Sequence, residues 1–299
     1  MERDIWKRIT KAINRIKPTR LRNEVYTNRE ILAVLLWASL YGRPISWACK
    51  RPNWPKQAWR RRLPDQSTMS RRLRHRDIAV LQRRVMSLVQ EDGSDATMIA
   101  IIDGKALQLS ENTRDPDART GRGVGGYAKG YKLHALIDDQ WRVLAWRVRP
   151  LNVAECLVAQ DLLRDAARSS IFKLVPRTVV LGDASYDSNR LHLRAATLRV
   201  QLIAPRRKPH LGVSSKRKHH PSRLLSVRIT EGDGAAVRMR WFNSKRGCIE
   251  RYFGALASSG TGLDYLPTWV RRLHRCELWV GAKLIINAAR IRLRKEIDA

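Results

Sequence analysis

The chain has 299 residues, with 59 Lys plus Arg against 27 Asp plus Glu and a net charge of +32. Such an excess favours a nucleic-acid backbone as partner, because each neutralised phosphate releases condensed counterions; an anionic membrane surface or a ribosome-like RNA environment is the alternative. With 43% hydrophobic residues the chain can bury a sizeable core, which excludes a basic tail without a fold.

Four cysteines, Cys49, Cys156, Cys248 and Cys276, lie far apart without C-x-x-C spacing, so a zinc ribbon or finger is not expected and the chain reads as a reduced, cytoplasmic protein. No apolar segment follows Met1-Glu-Arg-Asp4, as a signal peptide would require. The apolar stretch from Ile31 to Leu40 is too short to span a bilayer and reads as a buried helix, so no membrane partner is expected.

Residues 1–92 carry apolar side chains at three- and four-residue spacing and predict an all-helical domain, with Asn28 as an N-cap before the Ile31 run. Arg43-Pro44 and Arg51-Pro-Asn-Trp-Pro55 interrupt the pattern. A further helix is expected from Asp65 through Leu73, capped by Ser67 or Thr68. Between Lys50 and Arg76 ten Lys or Arg face one acid, Asp65. Arg71, Arg72, Arg74 and Arg76 on that helix could enter a groove or track phosphates, or form a solvated basic face. Trp47, Trp54 and Trp59 lie in the same segment, either as packing residues or as platforms for bases.

Glu91-Asp-Gly-Ser-Asp95 reads as a linker, after which the periodicity becomes strand-like. Thr97 to Ile102 predicts a strand buried on both faces, and Tyr131–Ile137 with Trp141–Val148 predicts a hairpin. Gly121-Arg-Gly-Val-Gly-Gly126 lacks the Lys-Ser/Thr of a phosphate loop and reads as a flexible segment near DNA. A helix is expected over 153–168 with Asn152 as cap, then a strand over 177–183, a helix over 188–199 and a strand over 200–204. Pro205 to Arg223 holds seven Lys or Arg and no acid, including Arg206-Arg207-Lys208 and Lys216-Arg-Lys218, as a basic loop. Val227–Thr230 and Ala236–Trp241 predict a second hairpin around Glu231-Gly-Asp-Gly234. A helix carrying Arg246 and Glu250 follows, then a Gly/Ser turn at 258–262 and a closing helix from Thr268 to about Lys295. The fold class is therefore α/β, a sheet with flanking helices over 93–299, preceded by the helical domain.

Three acids stand out. Ile99-Ala-Ile-Ile-Asp103 and Val179-Val-Leu-Gly-Asp183 are apolar strands that run into aspartates, and open α/β sheets place their sites at the carboxyl ends of strands. Arg246 and Glu250 share a helix face, with Ile249, Phe253 and Leu256 as the apolar stripe that would dock it. Phosphodiester cleavage needs hard cations on oxygen ligands, which a few carboxylates supply. Each acid also has a plain alternative, a turn former for either Asp and an ion-pair partner for Glu250.

Four segments together resemble the catalytic domain of DDE transposases of bacterial insertion sequences, of the IS4/IS5-like kind. They are Ile102-Asp-Gly-Lys105, Tyr127-Ala-Lys-Gly-Tyr-Lys-Leu-His134, Leu181-Gly-Asp-Ala-Ser-Tyr-Asp-Ser188 and Arg246-Gly-Cys-Ile-Glu-Arg-Tyr-Phe253. Ser185 stands where relatives often carry Gly, and Ala257 where many carry a basic residue. The resemblance implies an RNase H-like mixed sheet, with Asp103, Asp183 and Glu250 as catalytic and metal ligands for two Mg²⁺ ions that Mn²⁺ can replace. It further implies DNA or metal proximity for Lys132, His134, Tyr186 and Arg246, with a core histidine as the alternative for His134; Lys129, Arg206, Arg207 and Arg251 are added as expected DNA contacts. The expected activity is transposition, with binding of terminal inverted repeats, cleavage and strand transfer on double-stranded DNA by a nucleoid-associated homodimer on paired ends. An inactive DNA-binding relative and an RNase H-like nuclease without strand transfer are the alternatives.

Overall fold

A computed structural model describes residues 1–18, 24–55, 62–91, 98–169, 174–213, 218–258 and 262–297. Trp59, most of the 91–95 linker, Thr97, Lys216 with Arg217 and the centre of the 258–262 turn lie outside the described residues. Met1–Asp92 with Ala255–Ala299 forms one compact unit, and Gly93–Gly254 forms another.

The first unit is helical: α1 (Glu2–Asn14), α2 (Asn28–Leu40), α3 (Ile45–Ala48), α4 (Gln66–Arg72) and α5 (Arg76–Gln90). Helix α2 is buried from Ile31 to Leu40 because it is apolar on every side, so other helices must surround it. Its cap is Thr27, one residue before the expected Asn28, and Thr27 and Glu30 form a reciprocal capping box. Asp65 caps α4 by accepting from Thr68 N at 2.7 Å; Ser67 and Thr68, expected as caps, lie inside the helix. Trp37 stacks on Trp54 at 4.6 Å, with Trp6 edge-on to both, so Trp54 is core and unavailable to bases.

Residues 255–299 were expected to close the second domain; they belong to the helical unit instead. Their long helix, called α10 below after its place in the chain, spans Leu273–Ile297 and is buried from Leu278 to Arg290. Gln82 of α5 donates to Leu278 O at 2.8 Å, and a methyl group on Gly281 would lie 2.5 Å from Gln82 Oε1. That approach requires a residue without a side chain. The helix starts at Leu273 and not at Thr268, because Arg272 adopts φ +70°. No helix among the described residues is long and apolar enough to cross a membrane.

The second unit is a six-stranded mixed sheet: β1 (Ile99–Gln108), β2 (Arg119–Arg122), β3 (Tyr127–Asp138), β4 (Val143–Pro150), β5 (Val179–Leu181) and β6 (Gln201–Ile203). β3 pairs antiparallel with β1 on one side, and with β2 and then β4 on the other. β1, β5 and β6 are parallel neighbours. The expected 3–4 hairpin is present. Strand β2 takes in Gly121 and Arg122 of the segment that read as flexible, and residues 123–126 form the connection to β3; a side chain at Gly121 would meet Leu151 O at 2.4 Å, so the glycine permits close backbone approach.

Helices α6 (Glu155–Ala167) and α7 (Asn189–Thr197) make the crossovers β4–β5 and β5–β6. They bury Val158, Leu162, Leu163, Leu191 and Ala195 against Ala100, Ile102, Leu136 and Val180 of the sheet. Ser188 caps α7; α6 begins two residues later than expected, with Ala154 and not Asn152 at its cap position. The expected hairpin over 227–241 is absent, because both segments are helical: α8 (Pro221–Glu231) and α9 (Ala235–Ser258). The residues buried on α8 are Ser226 and Thr230, four apart, whereas Leu224, Leu225 and Val237 are exposed. Ser226 Oγ both accepts from Ala204 N and donates to Ala204 O, which satisfies the backbone where β6 ends.

Candidate active site

β1 and β5 run parallel with Ile101 opposite Leu181, and Asp103 and Asp183 each follow two residues later in the chain, Asp103 within β1 and Asp183 beyond the end of β5. Strand β1 continues past Asp103 to Gln108, and the break occurs in its neighbour β5, which ends before Gly182. Each aspartate spends one oxygen on its own backbone: Asp103 Oδ1 accepts from Gly104 N at 2.8 Å, and Asp183 Oδ1 accepts from Ser185 N at 2.7 Å. The latter bond caps a short 3-10 turn over Ala184–Tyr186. Burial, followed by the negative charges of Asp183 and Glu155, pushes the Asp103 carboxyl up to about 6, against the pull of the Gly104 N–H and of Arg246.

Glu250 reaches this region on α9, which the β3–β4 turn holds. Trp141, in that turn at φ +67°, donates its indole N–H to Cys248 Sγ at 2.9 Å and lies edge-on to Tyr252 at 6.1 Å. Lys245 pairs with Asp139 at 3.8 Å. Ile249, Phe253 and Leu256 are buried as their spacing requires. Arg246 bonds Glu250 one turn along and stands 3.9 Å from Asp103 Oδ2. Asp183 thus acts on Asp103 through its charge, and Glu250 is connected to Asp103 through Arg246.

Glu155 completes the acidic surroundings, although nothing in the sequence set it apart from an ordinary acid in a helix's first turn. It pairs with Lys132 Nζ at 2.5 Å. Tyr186, expected near the DNA or the metals, is fully buried, and its hydroxyl has no hydrogen-bond partner among the described residues. Burial, then Glu155, Asp103 and Asp183, raises its phenol well above the usual range. The Gly182 position explains how the ring fits: a methyl there would lie 2.9 Å from Tyr186 Cδ2 and 3.0 Å from Ile102 Cγ2.

His134 is also buried, opposite Gly104, with both ring nitrogens unpartnered; burial and the charges of Lys132 and Arg149 lower it to about 3. A neutral, enclosed imidazole does not contact DNA. Lys129 donates to Thr113 O at 3.1 Å and ties down the segment before β2. Arg206 is held by Glu231 and by Pro209 O, and is not presented as a phosphate contact. Arg207 remains exposed and donates to Ala184 O at 3.3 Å, on the Asp183 turn; Arg251 is exposed on α9. Asp187, the other acid near Asp183, is engaged by both arms of Arg223 at 2.7 and 2.6 Å. Although burial opposes it, that Arg223 pairing brings Asp187 down to about 2.

In the helical unit, Arg71 and Arg74 are exposed, but Arg72 is 3% exposed. It donates to Tyr26 O at 2.8 Å and Asn28 Oδ1 at 2.6 Å, and pairs with Glu24 at 2.9 Å. Arg72 is a buried cross-link between helices and not a DNA contact. The outward face of α5 instead carries Arg76, Val80, Arg83 and Arg84, at helical spacing.

The Transposase DDE domain family matches residues 95–287, well over half of the chain. The chain belongs to the DDE transposase family. No curated protein matches it. In this DDE transposase the donor chemistry fits a hard divalent cation: Asp103 and Asp183 each have one oxygen uncommitted to the backbone turn, and burial, followed by the charges of Asp183 and Glu155, holds Asp103 above its usual range. Among the described residues no three His, Cys, Asp or Glu side chains stand together as a metal-holding group, and Glu250 is engaged by Arg246.

Proposed function

We propose that this DDE transposase binds the terminal inverted repeats of an insertion sequence, cleaves the DNA there and joins the freed end to a target. The observation that carries the reading is the parallel register of β1 and β5, with Asp103 and Asp183 each two residues beyond the Ile101–Leu181 pair. The antiparallel trio β4-β3-β1, followed by parallel β5 and β6, supports an RNase H-like sheet for this chemistry.

Asp103 and Asp183, with Glu250, would hold two Mg²⁺ ions, or Mn²⁺ in their place, which supply activation of the attacking oxygen and stabilisation of the leaving one. The chain's own residues do the positioning. The Gly104 and Ser185 N–H groups fix one oxygen of each aspartate and so orient the other. Arg207, which donates to Ala184 O of the Asp183 turn, and the exposed Arg251 would receive backbone phosphates. DNA ends would be engaged by the outer face of α5 with Arg71 and Arg74, as a basic helix tracks a groove. A homodimer on paired ends and a nucleoid location follow from the same reading.

The test is cleavage of a labelled duplex containing the element's end, in Mg²⁺, by the full-length protein and by Asp103→Asn and Asp183→Asn. Loss of cleavage in both variants with retained gel-shift binding is expected. Cleavage by either variant at the unaltered rate would sink the assignment.

A further inference from the structure

Glu155 and Lys132 form a pair that the metal-centred reading leaves unused. Both side chains are largely enclosed, 16% and 13% exposed, and their 2.5 Å contact joins the first turn of α6 to the middle of β3. An enclosed pair of this kind is not a screened surface contact, and removal of either partner leaves a costly charge. Gly104, the residue after Asp103, makes the space for it. A methyl group there would lie 2.8 Å from Lys132 Cδ and 3.3 Å from Glu155 Oε1. The glycine next to the first aspartate therefore admits the lysine stem and the glutamate beside the acid pair. A second, independent feature points into the same place. The Tyr186 hydroxyl is wholly buried and unpartnered, and it feels the charges of Glu155, Asp103 and Asp183 together.

We propose that Glu155 is a positioning residue of this site: it holds the Lys132 ammonium at the edge of the Asp103–Asp183 pair, where that ammonium meets a non-bridging oxygen of the phosphate under attack. The proposal rests on the reading of Asp103 and Asp183 as the reactive centre. A lysine acts as a point charge on a flexible stem, and unheld it loses rotamer freedom each time it meets phosphate. Fixed in advance by Glu155, it stabilises developing negative charge without reorganisation at the moment of reaction.

The experiment is single-turnover cleavage of an end-containing duplex in Mg²⁺ by Glu155→Gln, Lys132→Met, the double variant and Asp103→Asn. Glu155→Gln should lower the cleavage rate constant by about 10- to 100-fold, with the half-saturating DNA concentration unchanged or lower, because a released Lys132 still attracts phosphate. The double variant should fall no further than Lys132→Met, since the two side chains act as one unit. A Glu155→Gln rate within twofold of the parent, or losses that multiply in the double variant, overturns the proposal. Gly104→Ala keeps every charge but displaces the Lys132 stem, and must reproduce the loss; if Glu155→Gln does not fold, this variant decides alone, and a normal rate overturns the idea. Asp103→Asn separates the two layers of argument. Cleavage by Asp103→Asn overturns the reactive centre itself, whereas its failure beside a normal Glu155→Gln overturns only the role of Glu155.

Discussion

Arg246 Nη1 stands 3.9 Å from Asp103 Oδ2. The same guanidinium bonds Glu250, so one fixed cation balances the acid on β1 and the acid on α9 at once. Glu250 is 56% exposed, and an ion pair that open contributes little to folding. Glu250 can therefore exchange Arg246 for a metal ion at small cost, while Arg246 keeps its place beside Asp103.

Glu250→Gln keeps size and helix propensity but removes the charge. Strand cleavage should fall by orders of magnitude while end-binding stays within about tenfold, roughly 1.4 kcal/mol. Gel-shift and cleavage on one Mg²⁺-containing sample set decide it. Normal cleavage would mean that Glu250 is only an ion-pair partner for Arg246. Asp187 is then a poor substitute, because Arg223 already occupies both of its oxygens.

The burial of Asp103, with Asp183 and Glu155 acting on it, also has a cost in stability. Asp103 holds its proton up to about pH 6 in the folded chain, against 3.8 as its ordinary value. The folded state thus binds that proton more tightly, and the stability gained is full below pH 3.8 and lost as pH rises through about 6. At pH 7.5, in a metal-free buffer, Asp103→Asn should therefore be more stable than the parent by about 1–3 kcal/mol. Added Mg²⁺ should raise the melting temperature of the parent and much less that of the variant. Equal metal-free melting temperatures would contradict this account.

The strands that build the site were legible because Ile99–Ile102 and Val179–Leu181 are short apolar runs that end in aspartate, and because the 3–4 hairpin alternates. What could not be read depends on contacts between distant segments. Glu155 looks like any first-turn acid until β3 brings Lys132 to it. Arg72 looks like its exposed neighbours until Glu24, Tyr26 and Asn28 enclose it. The 227–241 segment misled by apolar alternation, because α8 buries Ser226 and Thr230 and leaves its leucines outside.

The arginines of the helical unit should divide accordingly. Arg72→Met leaves Asn28 and Glu24 without their cation and should destabilise the chain by about 2–4 kcal/mol, with denaturation as the readout. Arg83→Gln with Arg84→Gln, on the exposed face of α5, should leave the melt unchanged and weaken end-binding, with a shallower dependence on salt. Full-length protein is required, because a 1–92 fragment would lack the α10 residues that α5 packs on. A binding loss in Arg72→Met alone, with no change in stability, would reverse the assignment.

Lys283, in the helical unit, provides a further test. It lies on α10, 4% exposed, with its ammonium 5.3 Å above the Trp279 ring. Burial, then the charge of Arg290, brings it down from 10.5 to about 8. A lowered lysine means that the unfolded chain binds the proton more strongly, so stability rises with pH between about 8 and 10.5 and is flat below that window. Below pH 8 the buried ammonium is a constant cost, which the ring face offsets only in part. Lys283→Met has similar length and no charge, and should stabilise the protein at pH 7 by about 1–3 kcal/mol. That advantage should shrink as pH approaches 10, because the parent then buries a neutral amine. Urea denaturation of parent and variant at pH 7, 8, 9 and 10 measures it. A difference that stays constant over that range would mean that Lys283 is charged throughout and held by the ring, and that burial does not govern its proton.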